Sequence, residues 1–359
     1  MKFHKFKYHK LIFFFLLVLV FVLGALNLAK AQGYFIPEQP GIKIVDGVAQ
    51  LDSFTLDQKI SQMIIVAGYS THVEQWRKMQ LGGIHLFALQ DEYLFKETIF
   101  EFQRNMTIPF FVTVDLEGCV SPFAAFHYFP FASRIATPQK AFAKGQLEGQ
   151  YLHSLGVTLN FAPVVDLDDS IWNCRTFPGT AEQVTVIARE YIKGLQQEGV
   201  LATAKHYPGK TLIVRDPHKY LVAANIEAQD VYPYSQLSSD VSSIMVSHII
   251  SSGAVDSQGI PAVASPEVIG ALKQNYSGLI ISDEINMLGL KNYYPTLDEM
   301  YIAVFKAGND VVLNFNKDPN EIYRMIQVVK MAVEQGEIPE EQIDDSVRKI
   351  LMAKGMKVE

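Results

Sequence analysis

Lys205 and His206 end an apolar run, Gly199–Ala204, and Pro208 and Gly209 follow almost at once. Proline lacks a ladder donor and glycine tolerates unusual dihedrals, so a strand should stop here with two polar side chains at its tip. The next loop carries Asp216 and His218 on either side of Pro217, which holds its predecessor extended. An Asp beside a His can fix the imidazole tautomer and support its positive charge, which equips the His as a general acid/base. Asp283 closes a second buried run, Leu279–Ser282. A carboxylate so placed could be a nucleophile, a metal ligand or a cap for the next helix. Set opposite a second proton donor, it has the logic of retaining glycoside hydrolysis.

Something must bring these residues together. Asp115, Asp166, Lys205–His206, His248 and Asp283 each close an apolar run. The runs are 62–67, 83–88, 109–115, 159–166, 199–206, 243–248, 278–283 and 310–314, nearly continuous in apolar residues, as buried parallel strands are. Helical patterns lie between them, at 93–104, 140–155, 181–198, 266–274, 297–307 and 319–335. Thr55 with Gln58 three residues on reads as a capping box opening the first helix, and 338–356 reads as a final amphipathic helix. Eight strands alternating with helices predict an α/β fold of the (β/α)8 TIM type, with a doubly wound open sheet as the alternative. In a barrel the strand ends converge on one face, and several polar ends on different strands then make one site.

The chain has 359 residues, about half of them apolar, and a net charge of −7. It is globular in composition and carries no basic patch for a nucleic acid. Four lysines precede the uncharged run 11–26, and Ala29-Lys30-Ala31 follows it, the layout of a secretory signal peptide. Residues 1–31 are expected to be that signal or an uncleaved N-terminal membrane anchor. Either places the remainder outside the cytoplasm, secreted or membrane-associated. Their loss would remove five lysines and no acid. Residues 32–53 read as a linker or arm, and 54–359 as a single barrel domain. The two cysteines, Cys119 and Cys174, can pair in an exported protein.

Several segments carry a more specific resemblance. Leu56–Met63, Leu81–Ile84, Asp115-Leu116-Glu117-Gly118, Leu159–Asp166, Arg175-Thr176-Phe177, Lys205-His206-Tyr207-Pro208-Gly209 and Ser282–Met287 occur in this order. From about Phe54 to Lys357 the chain resembles glycoside hydrolase family 3, in its β-N-acetylhexosaminidase branch. That resemblance implies that Asp283 is the nucleophile and His218 the acid/base, supported by Asp216. It implies that Asp115, Arg175, Lys205, His206 and His248 hold sugar hydroxyls or the acetamido group. No metal, organic cofactor or protein partner is implied. The expected function is removal of terminal β-linked N-acetylglucosamine, by a retaining two-step mechanism, from an oligosaccharide or cell-wall glycan fragment.

The chain also departs from that pattern. Lys210-Thr211 replaces His-Gly, Pro217 replaces a Ser between Asp216 and His218, and Cys119-Val120 replaces Gly-Arg. All lie near the expected rim, where Cys119 and Cys174 would sit on neighbouring loops and could form a disulfide. Three other readings therefore stay open: an N-acetylglucosaminide phosphorylase using the same residues, a β-glucosidase of the same fold, and a catalytically inactive glycan-binding protein. His85, His127 and His153 read as packing or surface residues, the aromatic loop 123–131 as core, and Glu117 as structural. Trp172 reads equally as sugar contact or packing.

Overall fold

The computed structural model describes residues 3–31, 36–212, 215–216 and 219–359. Eight parallel strands form its centre: β1 (Ile64–Ala67), β2 (Gly83–His85), β3 (Phe111–Val114), β4 (Leu159–Asn160), β5 (Leu201–Tyr207), β6 (Ser243–Val246), β7 (Leu279–Ser282) and β8 (Val312–Asn314). They pair in chain order, and β8 returns to β1 with Val312 opposite Ile64. Between β7 and β8 the ladder continues through the Ile281–Val311 bridge and the Ser282 N–H to Val311 carbonyl bond of 2.8 Å. Ser282 Oγ accepts the Leu313 N–H at 2.9 Å. The sheet is thus a nearly closed (β/α)8 barrel, the first of the two arrangements that the alternation of runs and helices allows.

Burial explains the strand pattern. β1, β3, β6 and β7 are buried at every position, because helices cover the outside and side chains fill the inside. The strands are shorter than their apolar runs. β4 stops at Asn160, near Pro163, which cannot donate to the ladder. The capping box at Thr55 forms as expected, with Gln58 N–H on Thr55 Oγ1 at 3.2 Å and Thr55 N–H on Gln58 Oε1 at 2.7 Å. Helix Ala228–Leu237 has no counterpart in the sequence reading, since Pro233 lies inside it and obscures the pattern.

Helices Pro138–Leu155 and Ala181–Gln197 cross closely at two glycines. A Cβ on Gly145 would lie 2.2 Å from the Tyr191 carbonyl oxygen, and one on Gly194 2.3 Å from that of Phe142. This approach buries Tyr191, whose hydroxyl reaches the site through Asn160, as described below.

The stretch expected as a linker is partly structured. Ile44–Val45 and Val48–Ala49 form a hairpin, and Lys357–Val358 adds a parallel third strand. Residues 3–31 form a helix whose large side chains from Ile12 to Leu26 are exposed.

Lys354 follows the last long helix, Glu340–Ala353, and turns beneath the barrel. Its ammonium lies 5.0 Å from the Phe111 ring centroid and donates to Gln62 Oε1 at 2.9 Å. Burial pushes Lys354 down to about 7 from its ordinary 10.5. The folded state therefore favours the neutral amine. Holding the charged form costs stability below that value, and the cost fades as pH rises toward the unfolded pKa. Lys354→Met is expected to raise the melting temperature near pH 6 and to lose most of that gain near pH 10. Thermal unfolding followed by circular dichroism tests this, and a pH-independent gain would refute it.

Candidate active site

A cavity of about 300 Å³ opens at the C-terminal mouth of the barrel. Asp115 and Glu117 reach it from just beyond β3, Arg175 from the loop after β4, Lys205 and His206 from β5, and Asp283 from just beyond β7. Five of the eight expected site residues thus line one cavity.

Its floor is a charge cluster. Lys205 Nζ donates to Asp115 Oδ1 at 2.6 Å and also to Glu117 Oε1. Arg175 holds Glu117 with a two-pronged pair, Nε on Oε2 and Nη2 on Oε1, the latter at 2.9 Å. Arg175 Nη2 lies 3.4 Å from His206 Nε2. His206 Nδ1 lies 2.9 Å from Asp166 Oδ2, and Tyr234 donates its hydroxyl to Asp166 Oδ1 at 3.3 Å. With Nδ1–H on Asp166, Nε2 is left to accept from Arg175, so Asp166 sets the orientation of the ring.

These contacts settle the protonation states. Burial alone would raise Glu117, but Arg175 and then Lys205 bring it below the usual carboxylate range. Asp115 is lowered too: burial opposes this, and Lys205 and His85 outweigh it. Burial would depress Lys205, yet Asp115 and Glu117 raise it above the ordinary lysine value. Arg175 is raised by Glu117 against the same burial effect. The cluster is therefore ionic across the ordinary pH range.

Backbone geometry holds the acids in place. Asn160, at the tip of β4, accepts the Leu116 N–H at 2.9 Å and donates to the Leu116 carbonyl at 3.0 Å. Its amide also donates to Tyr191 OH, which in turn donates to Glu148 at 2.7 Å. Gly118 then turns at φ 116°, where an added Cβ would lie 2.9 Å from backbone atoms of Phe131 and Ala132. On the other wall, Asp169 accepts the N–H groups of Trp172, Cys174 and Arg175. Cys119 and Cys174 form a disulfide between the two loops, with Cα atoms 6.0 Å apart.

The remaining expected residues stand elsewhere. His248 lies two residues beyond β6, and its Nε2 donates to the Glu284 carbonyl at 2.8 Å. It thus braces the turn that carries Asp283 and is absent from the cavity lining. Asp216 lies in the loop after β5, where its carbonyl accepts the N–H groups of Lys219 and Tyr220. His218 and Pro217 lie outside the described residues. Lys210, one of the departures, ties the start of that loop to the Asn225 carbonyl at 2.9 Å and to Asp230 at 3.2 Å.

Residues expected to pack or to be structural also touch the cluster. His85 packs between Phe161 and Phe315, yet its Nε2 lies 3.5 Å from Asp115 Oδ2. Burial, aided by Lys205 and opposed by Asp115, pushes it down to about 4. Its place at the tip of β2 was the available signal. Glu117, read as structural, is the shared counter-charge of the floor. Trp172 does line the cavity, with the Arg175 guanidinium 4.7 Å from its ring centroid. In loop 123–131, Phe123 and Phe129 are buried as expected.

Paired carboxylates and cations thus line a pocket at the C-terminal mouth of a (β/α)8 barrel, the face on which such barrels carry their sites. The Glycosyl hydrolase family 3 N terminal domain matches residues 55–353, and the chain belongs to that family. It is 27% identical over 333 residues to the beta-N-acetylglucosaminidase/beta-glucosidase of Cellulomonas fimi, covering 83% of this chain and 57% of that relative. The chain spans about half the length of several curated relatives it matches. A glycosyl hydrolase of family GH3 from Mycobacterium smegmatis superposes with a TM-score of 0.76 at 26% identity, over 85% of this chain and 98% of that one. A glycoside hydrolase family 3 beta-N-acetylglucosaminidase from Paenibacillus gives 0.77 at 25% identity, over 84% and 62%.

Glu117 is 3% exposed and balances two buried cations. Glu117→Gln leaves Arg175 and Lys205 under-compensated and is expected to cost about 3–5 kcal/mol of stability. Urea unfolding at neutral pH measures this, and a loss below about 1 kcal/mol would show that the cluster is not held as described.

Proposed function

We propose that this chain is an exported glycoside hydrolase that removes terminal β-linked N-acetylhexosamine, in particular N-acetylglucosamine, with retention of configuration. The observation that carries this reading is the placement of Asp283. Its carboxylate stands at the tip of β7 in the same cavity as the Asp115–Lys205–Glu117–Arg175 cluster. Charged donors and acceptors fixed on a closed floor suit the hydroxyls and amide of one terminal sugar. The named relatives support the choice of sugar.

In the proposed reaction Asp283 attacks the anomeric carbon as the bond to the leaving oxygen breaks. His218, supported by Asp216, gives that oxygen a proton. The neutral imidazole then takes a proton from water, and the water oxygen displaces Asp283 at the same carbon. Substrate is an oligosaccharide or a cell-wall glycan fragment.

The charge balance favours water over phosphate as second acceptor. Four carboxylates line the cavity (Asp115, Glu117, Asp283 and Glu284) against the cations Lys205 and Arg175, both already paired. A phosphate dianion would enter a field of its own sign. Export is supported by the layout of residues 1–31 and by the disulfide, which suits an oxidising compartment.

The full chain is expected to release chromophore from a p-nitrophenyl N-acetyl-β-glucosaminide without added phosphate. Asp283→Ala and His218→Ala should each lower kcat by about a hundredfold or more. Equal, background-level rates in all three proteins would overturn the hydrolase reading. A strict requirement for inorganic phosphate would make the chain a phosphorylase.

A further inference from the structure

His85 stands at the tip of β2 in a place suited to an apolar side chain. Its ring lies between those of Phe161 and Phe315, with centroids 5.4 Å and 4.8 Å away, and Phe87 stands edge-on to it at 4.7 Å. It is 1% exposed. Phe87, Phe161 and Phe315 line the cavity, and His85 lies behind them, outside the lining. It can act on a bound sugar only through a neighbour. That neighbour is Asp115, whose Oδ2 lies 3.5 Å from His85 Nε2.

The contacts behind the ring decide which nitrogen holds the proton. Nδ1 lies 3.0 Å from Thr113 Oγ1, and that oxygen lies 3.2 Å from the Ile84 carbonyl. Thr113 is fully buried, and its hydroxyl has one proton to donate. Donated to the carbonyl, it requires Nδ1–H, and the lone pair of Nε2 then faces the Asp115 carboxylate. Donated to Nδ1, it leaves Nε2–H facing that carboxylate, which is the attractive arrangement. Burial pushes the ring down to about 4, so a single nitrogen is protonated at ordinary pH.

From this arrangement we infer that His85 is a positioning residue: as the neutral Nε2–H imidazole, it sets the Asp115 carboxylate for the hydroxyls of the terminal sugar. The inference rests on the glycosidase reading above and adds a residue to the recognition of its substrate. Lys205 holds Oδ1 at 2.6 Å and His85 faces Oδ2, so both oxygens are engaged from the protein side. Each carboxylate oxygen can accept a further bond, and Asp115 lines the cavity where a sugar would offer one. β3 and β7 are four strands apart in the ring, so Asp115 stands across the mouth from Asp283. It therefore holds hydroxyls remote from the anomeric carbon, and a slack Asp115 should weaken binding more than the chemical step.

Two substitutions separate this role from packing. His85→Phe keeps the ring stack and removes the N–H. His85→Gln loses the stack and keeps an amide that can stand where Nε2 stood. With the p-nitrophenyl N-acetyl-β-glucosaminide, His85→Phe is expected to raise KM about tenfold with kcat within about twofold, and His85→Gln to raise KM about threefold or less. Thermal unfolding should rank them the other way, with His85→Phe the more stable. An unchanged KM in His85→Phe, or a larger rise in His85→Gln than in His85→Phe, would overturn the inference and leave the glycosidase reading standing. Nitrogen NMR of the histidine-labelled full chain, with the His85 signals assigned by their loss in His85→Phe, is expected to show the Nε2–H form at neutral pH. A ring protonated at Nδ1, or at both nitrogens, would overturn the inference as well. If the unmodified protein shows no turnover, the glycosidase reading falls and the sugar-binding role of His85 with it, whatever the ring nitrogens show.

Discussion

The site depends on a shared counter-charge. Glu117 holds Arg175 and Lys205 at once, and Asp115 takes a second bond from Lys205. Removing such charges from water costs several kcal/mol per ion, and only close, multiple hydrogen bonds return it. The cluster meets that condition because its members come from three neighbouring barrel positions, beyond β3, after β4 and on β5. None could be buried alone. Their mutual dependence fixes each head group before any ligand arrives, and fixed dipoles bind hydroxyls without further ordering.

That cluster explains why so much of the fold around it is specified. The β3 tip must be exact enough to aim two acids, and the tip of β4 does this through Asn160. Asn160 in turn needs Tyr191, which needs the close helix crossing at Gly145 and Gly194. A glycine on an outer helix is thereby connected to the ionic floor through packed, hydrogen-bonded groups. The His206–Asp166–Tyr234 chain plays the same part on the next strand.

The barrel was legible because burial on both faces writes itself as continuous apolar runs, and the strand tips were legible because a polar residue ended each run. Asp115, Lys205, His206 and Asp283 meet in the cavity for that reason, whereas Arg175, in a loop, was indicated by the family resemblance alone. What stayed hidden has physical causes as well. His85 sits among aromatic rings, so its neighbours in sequence advertise packing, and its contact with Asp115 comes from the adjacent strand. Glu117 is two residues past its strand, and nothing local announces the two cations that reach it from residues 175 and 205. His248 ends a strand as expected, but its ring bonds the Glu284 carbonyl, since the β7 turn passes beside it. Helix Ala228–Leu237 was hidden by Pro233, and the arm at 44–49 by strands too short to show a period.

The departures from the family pattern are consistent with one another. Where the pattern has Gly-Arg, this chain has Cys119-Val120, and the cysteine is covalently tied to the loop that carries Arg175. The ring so closed spans 55 residues, and in the chain-entropy view it removes about 4 kcal/mol of freedom from the unfolded state. The cross-link acts where Gly118 has already committed the backbone to a positive φ, so it reinforces a turn that only glycine accepts readily. An arginine at position 120 would add a cation beside two that are already balanced. Valine adds none, and so leaves the Glu117 pairing undisturbed while making the opening apolar. The exchange therefore alters the character of the entrance and preserves that of the floor, and on this chain the rim can diverge while Asp283 and the buried cluster stay as they are.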